Sequence, residues 1–392
     1  MKKTNAFLAL SLCCALALTG CGPASSAVQS DPQPQSQSEP QPEPTPAPVR
    51  ARAGYNLLTG IPVDQADTVR PVAVMLHNEP GAMPQWGTDG AKAVVEVLSE
   101  GKIPSMMCLF DGLGEIPPVG PVAPGRDVLC QMAMPSGAVI LQNGSNIYTR
   151  NLLNQYRYQV LDGNYVGVTA FDLDHDRDAA GYGNEFCWYT KQELIANGRA
   201  RYGMDDRGSG LASLFVFADQ SQPTEGLQPA NAIQMTFAEG WTTRMEYSGG
   251  YYVKYRPDGQ PHMDASNNIQ MGFANVIVLF CSAGVKDDGY TRDYDLTQGQ
   301  GVYLSQGFYQ PIQWQKGRPD QPLRLFDQQG EPLLVNPGSN YIAVYGGFAG
   351  QGIQVLNGEE SLELPEMPQP LPPREPAPEG EPAPEGGPTP AE

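Results

Sequence analysis

Three short apolar runs, PVAVML (71–76), MMCLF (106–110) and AVILQ (138–142), alternate with stretches of helical spacing, and this alternation constrains the first half of the chain. Runs of this length without a polar face suit strands buried on both sides, as in sheets covered by helices. One helix candidate opens at Asp89 and closes at Gly101, with Ala91, Val94, Val95 and Leu98 at i, i+3, i+4 and i+7 on a single apolar face. A second covers 126–134, and a third runs from Asn146 to about Tyr158. The order β-α-β-α-β-α predicts an α/β domain with a mainly parallel sheet over 55–200.

A mixed connecting segment over 201–230 follows; just before it, Thr190 and Glu193 have the spacing of a helix capping box. Over 231–360 the pattern changes to two-residue alternation with glycine-marked turns, as in TTRMEYSGGYYVKY (242–255), where Ser248-Gly249-Gly250 can reverse a hairpin. NVIVLFC (275–281), FYQPIQW (308–314), LRLF (323–326) and YIAVYG (341–346) complete the expectation of a mainly antiparallel β domain. Residues 22–54 and 361–392 are rich in Pro, Glu, Ser or Gln, and EPAPEG occurs twice at 375–386. Such composition cannot bury enough apolar surface to offset chain entropy, so both flanks are expected to be disordered, one a tether and the other a tail.

At the N-terminus, Lys2 and Lys3 precede a short apolar stretch and the tetrapeptide Leu18-Thr19-Gly20-Cys21. This is the layout of a bacterial lipoprotein signal over 1–21, too short to span a hydrocarbon layer of about 30 Å as a mature helix. It predicts lipid attachment at Cys21 and an extracytoplasmic protein held to the membrane through that lipid. The formal net charge of −19 becomes more negative once the two signal lysines are removed. Such a chain lacks the clustered basic residues that phosphate backbones require, which argues against nucleic acid as a partner. Of seven cysteines, Cys108, Cys130, Cys187 and Cys281 remain after Cys13, Cys14 and Cys21 are set aside. They are widely spaced, and three sit in apolar runs, so buried free thiols are expected rather than disulfides or a zinc site.

Strands of a parallel sheet end on one edge, the usual ligand side of an open α/β fold. The residues just past those ends are His77 and Asn78, Asp111, and Asn143, Gly144 and Ser145, with Arg126 adding a positive charge. Glu96 and Glu100, at i and i+4 with Lys92 one turn earlier, would share a solvated helix face; as a carboxylate pair they are the alternative catalytic candidates. With three histidines and no GxSxG, HExxH, P-loop or GxGxxG, other catalytic chemistry has little material. Asp174, Asp176, Asp178 and Glu185 match the spacing of a calcium loop. Ala179 stands where that loop needs glycine, so no cofactor is expected and calcium is a weak candidate.

Several motifs occur in series: LLTGIPV (57–63), RPVAVMLHN (70–78), PQWG (84–87), VVEVLSEGKI (94–103), VGPV (119–122) with Arg126, GQPHMDA (259–265), ANVIVLF (274–280), Trp314 to Lys316, RLFDQQGEPL (324–333) and NPGSNY (336–341). The series resembles the YerB-like bacterial lipoproteins, a two-part family with N- and C-terminal domains of unknown function. The resemblance implies an anchored extracytoplasmic protein and draws attention to Asn78, Gln85, Glu96, Glu100 and Arg126. The chain departs from the family pattern at Pro104-Ser105, where Thr-Arg is usual, and at Ala123-Pro124-Gly125-Arg126, where Arg-Ser-Ala-Arg is usual, so two basic side chains of that edge are missing. The reading that results is a non-catalytic protein binding a ligand, wall polymer or envelope protein near Asn78, Gln85, Arg126, Asn143 and Ser145. Its alternative is a carboxylate-dependent hydrolase or transferase acting on an envelope polymer.

Overall fold

The computed structural model describes residues 52–64 and 68–372. The signal segment, Cys21, nearly all of the tether and the tail beyond 372 lie outside the described residues. The first half supplies β1 (Val72–Leu76), β2 (Ala93–Val97), β3 (Ser105–Phe110), β4 (Val139–Gln142) and β5 (Val160–Asp162). The second half supplies β6 (Ala232–Ala238), β7 (Trp241–Ser248), β8 (Tyr251–Tyr255), β9 (Asn275–Phe280), β10 (Gln298–Ser305), β11 (Phe308–Gln315), β12 (Arg324–Phe326), β13 (Asn340–Tyr345) and β14 (Gly352–Asn357).

One large sheet runs through both halves in the order β12-β11-β10-β9-β13-β2-β3-β1-β4-β5. Strands β1, β4 and β5 are parallel to one another, as are β9, β13 and β2. Only β3 runs against its neighbours within this central block, while β10, β11 and β12 form an antiparallel meander at one side. The first half is thus a mixed, largely parallel sheet with helices and the second is mainly antiparallel, as the two hydrophobic patterns predict. The seam between them is a parallel pairing in which Ala343 of β13 faces Glu96 of β2.

A second sheet, with β8, β7, β6 and β14 as its central strands, covers part of one face of the first; Ile233, Met235, Phe237 and Tyr252 pack there with Val94, Cys108, Val276 and Tyr341. Farther along that face Ile195, from the helix Gln192–Tyr202, joins Leu141 and Leu161. On the opposite face α1 (Asp127–Ala133) and α2 (Ile147–Gln155) contribute Val128, Leu129, Met132 and Leu153 to another apolar layer. The hairpin between β7 and β8 turns at Gly249 and Gly250, whose φ values of 60° and 91° suit glycine.

Three local expectations are corrected. The stretch predicted as a helix from Asp89 to Gly101 contains β2 instead, because both of its faces are buried and a short continuous apolar run fits either periodicity. Glu96 and Glu100 therefore do not share a helix face. The capping box also fails to form: the Thr190 hydroxyl donates to the Ala170 carbonyl at 2.8 Å, and the helix starts after Lys191 without a side-chain cap. The tail expected to be disordered from 361 is ordered over its first residues: Leu362, Leu364 and Met367 pack on the core, and the Leu371 N–H donates to the Ala283 carbonyl at 2.6 Å.

Candidate functional site

Because β1, β2, β4, β9 and β13 point the same way, residues 77–79, 98–103 and 143–145 and the loops after 280 and 345 emerge on one edge. Along it lies a cleft of about 320 Å³ whose lining includes His77, Asn78, Glu79, Glu100, Lys102 and Arg126, with Tyr290 at its rim. Asn78 follows β1 and is buried; its Nδ2 donates to the Pro104 carbonyl at 3.2 Å, tying the end of β1 to the start of β3. His77 Nδ1 lies 3.0 Å from Glu79 Oε2, and its ring meets Phe186 edge-on at 5.0 Å. Burial pushes the Glu79 carboxyl upward, but its bonds to His77 and to backbone N–H groups outweigh that and hold it below the ordinary value.

Arg126 stands at the N-cap of α1 and pairs with Glu100 across the cleft. Its Nε is buried and has no hydrogen-bond partner among the described residues. A hairpin from the second half overhangs this edge. Within it Lys286 reaches Asp127 at 3.1 Å and Asp293 at 2.7 Å, and Tyr148 donates to Asp287. Burial disfavours the Lys286 charge, yet the two carboxylates raise its pKa overall.

Gln85, Asn143 and Ser145 do not line this cleft. Gln85 is fully buried beneath it, donating from Nε2 to the His77 carbonyl at 2.6 Å, with Oε1 2.7 Å from His262 Nε2. Because the Gln85 oxygen can only accept, His262 carries its proton on Nε2, and burial first, then Lys254 and Arg256, keeps the ring neutral. Ser145 is drawn into a backbone bridge with Gly125, and the Asn143 N–H donates to the Ala123 carbonyl at 2.9 Å. The start of α2 is capped from within, with Asn146 Oδ1 accepting from Thr149 N at 2.9 Å. Of the five residues expected to form the site, Asn78 and Arg126 are the two that line the cleft.

Glu96 lies between the two sheets with none of its surface exposed. One carboxylate oxygen pairs with Lys254, which is 2% exposed, and the other accepts from the Tyr341 hydroxyl at 2.6 Å. Burial, and then the adjacent Glu96 charge, drives the Tyr341 hydroxyl well above its ordinary pKa. A carboxylate enclosed in this way meets no substrate, and Glu100, on the outer edge, is paired with Arg126. Glu96 and Glu100 therefore do not face each other across an open cleft, as a carboxylate pair for polymer cleavage would.

Close by, the GQPHMDA motif of the second half grips the PQWG loop of the first. Asp264 accepts from Gly87 N at 3.1 Å and from Asp89 N at 2.8 Å, and the Ala265 N–H donates to the Gln85 carbonyl at 3.0 Å. Lys254, His262 and Asp264 were absent from the sequence-based site. The available signal for Lys254 was a lysine on the inward face of the alternating strand YYVKY.

The calcium-like spacing serves another purpose. Asp174 caps a short helix, His175–Ala179, with Oδ1 accepting from Asp176 N and Arg177 N at 3.1 and 3.0 Å. Asp176, Asp178 and Glu185 are exposed. Among the described residues no group of three or more His, Cys, Asp or Glu is placed to hold a metal ion. Cys108, Cys130, Cys187 and Cys281 are buried free thiols, as expected.

Comparison with known proteins matches residues 58–200 to the N-terminal domain, and residues 233–342 to the C-terminal domain, of a family described as "Protein of unknown function (DUF3048)". Over 268 residues the chain is 23% identical to "Putative lipoprotein YerB" of Bacillus subtilis (strain 168), spanning 66% of this chain and 77% of that protein. A crystal structure of the YerB protein from Bacillus subtilis superposes with a TM-score of 0.66 at 20% identity, covering 76% of this chain and 99% of the other. The seam described above is built largely from motifs in both matched regions, and the chain belongs to this two-part DUF3048 family.

Proposed function

We propose that the protein is an extracytoplasmic lipoprotein, anchored through Cys21, that binds an envelope ligand or partner in the strand-end cleft. Its homology to a protein described as a lipoprotein supports the location. Among the described residues no helix is long and apolar enough to cross a membrane, so the lipid is the anchor this reading requires. The observation that carries the binding reading is the placement of Arg126, Glu100, Glu79 and Lys102 around one cleft at the carboxyl edge, with the buried Arg126 Nε unpartnered. Both charge signs are presented within a small space, which suits a ligand carrying an acid and an amine, such as a peptide segment of a wall polymer.

The test is retention of the full chain on purified cell-wall material. Arg126→Ala should lower retention at least about tenfold, a difference of about 1.4 kcal/mol, while leaving the melting temperature nearly unchanged. Undiminished retention of a folded Arg126→Ala protein would show that the cleft is not the binding site.

A further inference from the structure

A larger groove, about 890 Å³, lies at the opposite edge, where the amino ends of β2, β9 and β13 meet the loop following Tyr55. We propose that this groove is a second binding site, and that its ligand is an uncharged oligosaccharide. The volume falls within the roughly 300–1,000 Å³ of small-molecule sites, and the junction of two halves of a chain is a common place for one.

The chemistry of the lining selects the ligand class. Tyr251 borders the groove with 51% of its surface exposed, and Ile269 with 49%, giving an apolar platform of the kind on which a sugar ring can rest. Beside it Gln270 donates its amide N–H to the Lys254 carbonyl at 2.7 Å, and Gln306 donates to the Gln222 carbonyl at 2.9 Å. Each spends one of its two amide donors on the backbone, which fixes the amide and leaves the second N–H and the oxygen for ligand hydroxyls. Asp89 and Asp111 add carboxylate acceptors, and Lys92 adds one cation that has no ion-pair partner among the described residues.

A surface of mixed donors and acceptors, with one aromatic side chain and little net charge, matches a polyhydroxylated neutral molecule. The acidity of the whole chain disfavours an anionic one. This groove is separate from the strand-end cleft, so either assignment can fail without the other.

Titration calorimetry of the full chain with chitotetraose and with maltotetraose tests the proposal. Saturable binding of at least one is expected, weakened about tenfold or more in Tyr251→Ala, restored in Tyr251→Phe and unchanged within about twofold in Arg126→Ala. Tyr251 is exposed, so the melting temperature should hold in both of its variants. Absence of saturable binding to either sugar overturns the proposal. So does binding that survives Tyr251→Ala, or binding lost in Arg126→Ala, which would place the sugar in the strand-end cleft.

Discussion

Removing Lys254 from beneath the second sheet would leave the Glu96 carboxylate enclosed with the Tyr341 hydroxyl as its remaining partner. An uncompensated buried charge of this kind costs about 3–5 kcal/mol. Lys254→Met should therefore lower the unfolding free energy by that amount in urea titrations, and the double variant Glu96→Leu with Lys254→Met should lose less than the sum of the single changes. His262 supplies a pH-dependent contribution. Its folded pKa is depressed by burial, so the unfolded chain takes up a proton that the folded chain refuses. The stability is fully present above the unfolded value of about 6.5 and is lost as pH falls below it, by at most about 1.4 kcal/mol per pH unit. Denaturation between pH 7.5 and 5 should show this slope, and His262→Gln should flatten it. Burial pushes the thiols of Cys108, Cys130 and Cys281 upward as well. An aromatic disulfide reagent should find none of these three reactive until denaturant is added.

Strand β10 shows how a backbone approach is written into an element. A Cβ on Gly299 would lie 2.0 Å from the Phe280 carbonyl oxygen, and one on Gly301 would lie 2.1 Å from that of Val278. Glycine at these two positions lets β10 lie tightly on β9 and admits the Trp314 ring. Gly301→Ala should destabilise the protein by about 1–3 kcal/mol, measured by thermal or chemical unfolding. The same glycines explain why β10 was missing from the strands read in the sequence, since glycine weakens a strand pattern. Strand β2 was misread for the opposite reason: burial on both faces leaves no alternation to separate strand from helix. By contrast β1, β4 and β9 were legible because their apolar runs are short and bounded by turn residues. The parallel direction expected of β1 and β4 made their carboxyl edge, and with it Asn78, foreseeable; β3, expected to run with them, runs against them and carries Asp111 to the opposite edge. Asn143 and Ser145 were assigned to the cleft by the same logic, but the bridge between Gly125 and Ser145 takes that loop into the backbone framework. Lys254 and His262 approach from the second half, and spacing along a chain says nothing about contacts across 158 or 177 residues.

For the whole molecule, the shared sheet predicts cooperative behaviour. A fragment ending near residue 200 would expose the β2 edge that β13 covers, together with the face that β6 to β8 bury, so it should not fold alone. The intact body should lose fluorescence and circular dichroism in one coincident transition; separate transitions for the two halves would contradict this. The lipid anchor is tested at the same scale. Cys21→Ser should shift the protein from the membrane fraction to the soluble fraction, and quantitative retention on membranes in high salt would refute attachment at that residue.

The position of β13 also sets the order of events when the chain is made. The strand lies between β2 and β9, both of which precede it in the sequence, so the middle of the sheet is supplied after most of the chain. Until then β2 and β9 each present an open edge, and closure requires contacts of very long sequence separation, the slow class in folding. A polypeptide that crosses a membrane from its N-terminus thus stays incomplete through most of its passage. On the extracytoplasmic location proposed above, it would lock only when residues 340–345 arrive, which would delay folding until translocation is nearly finished.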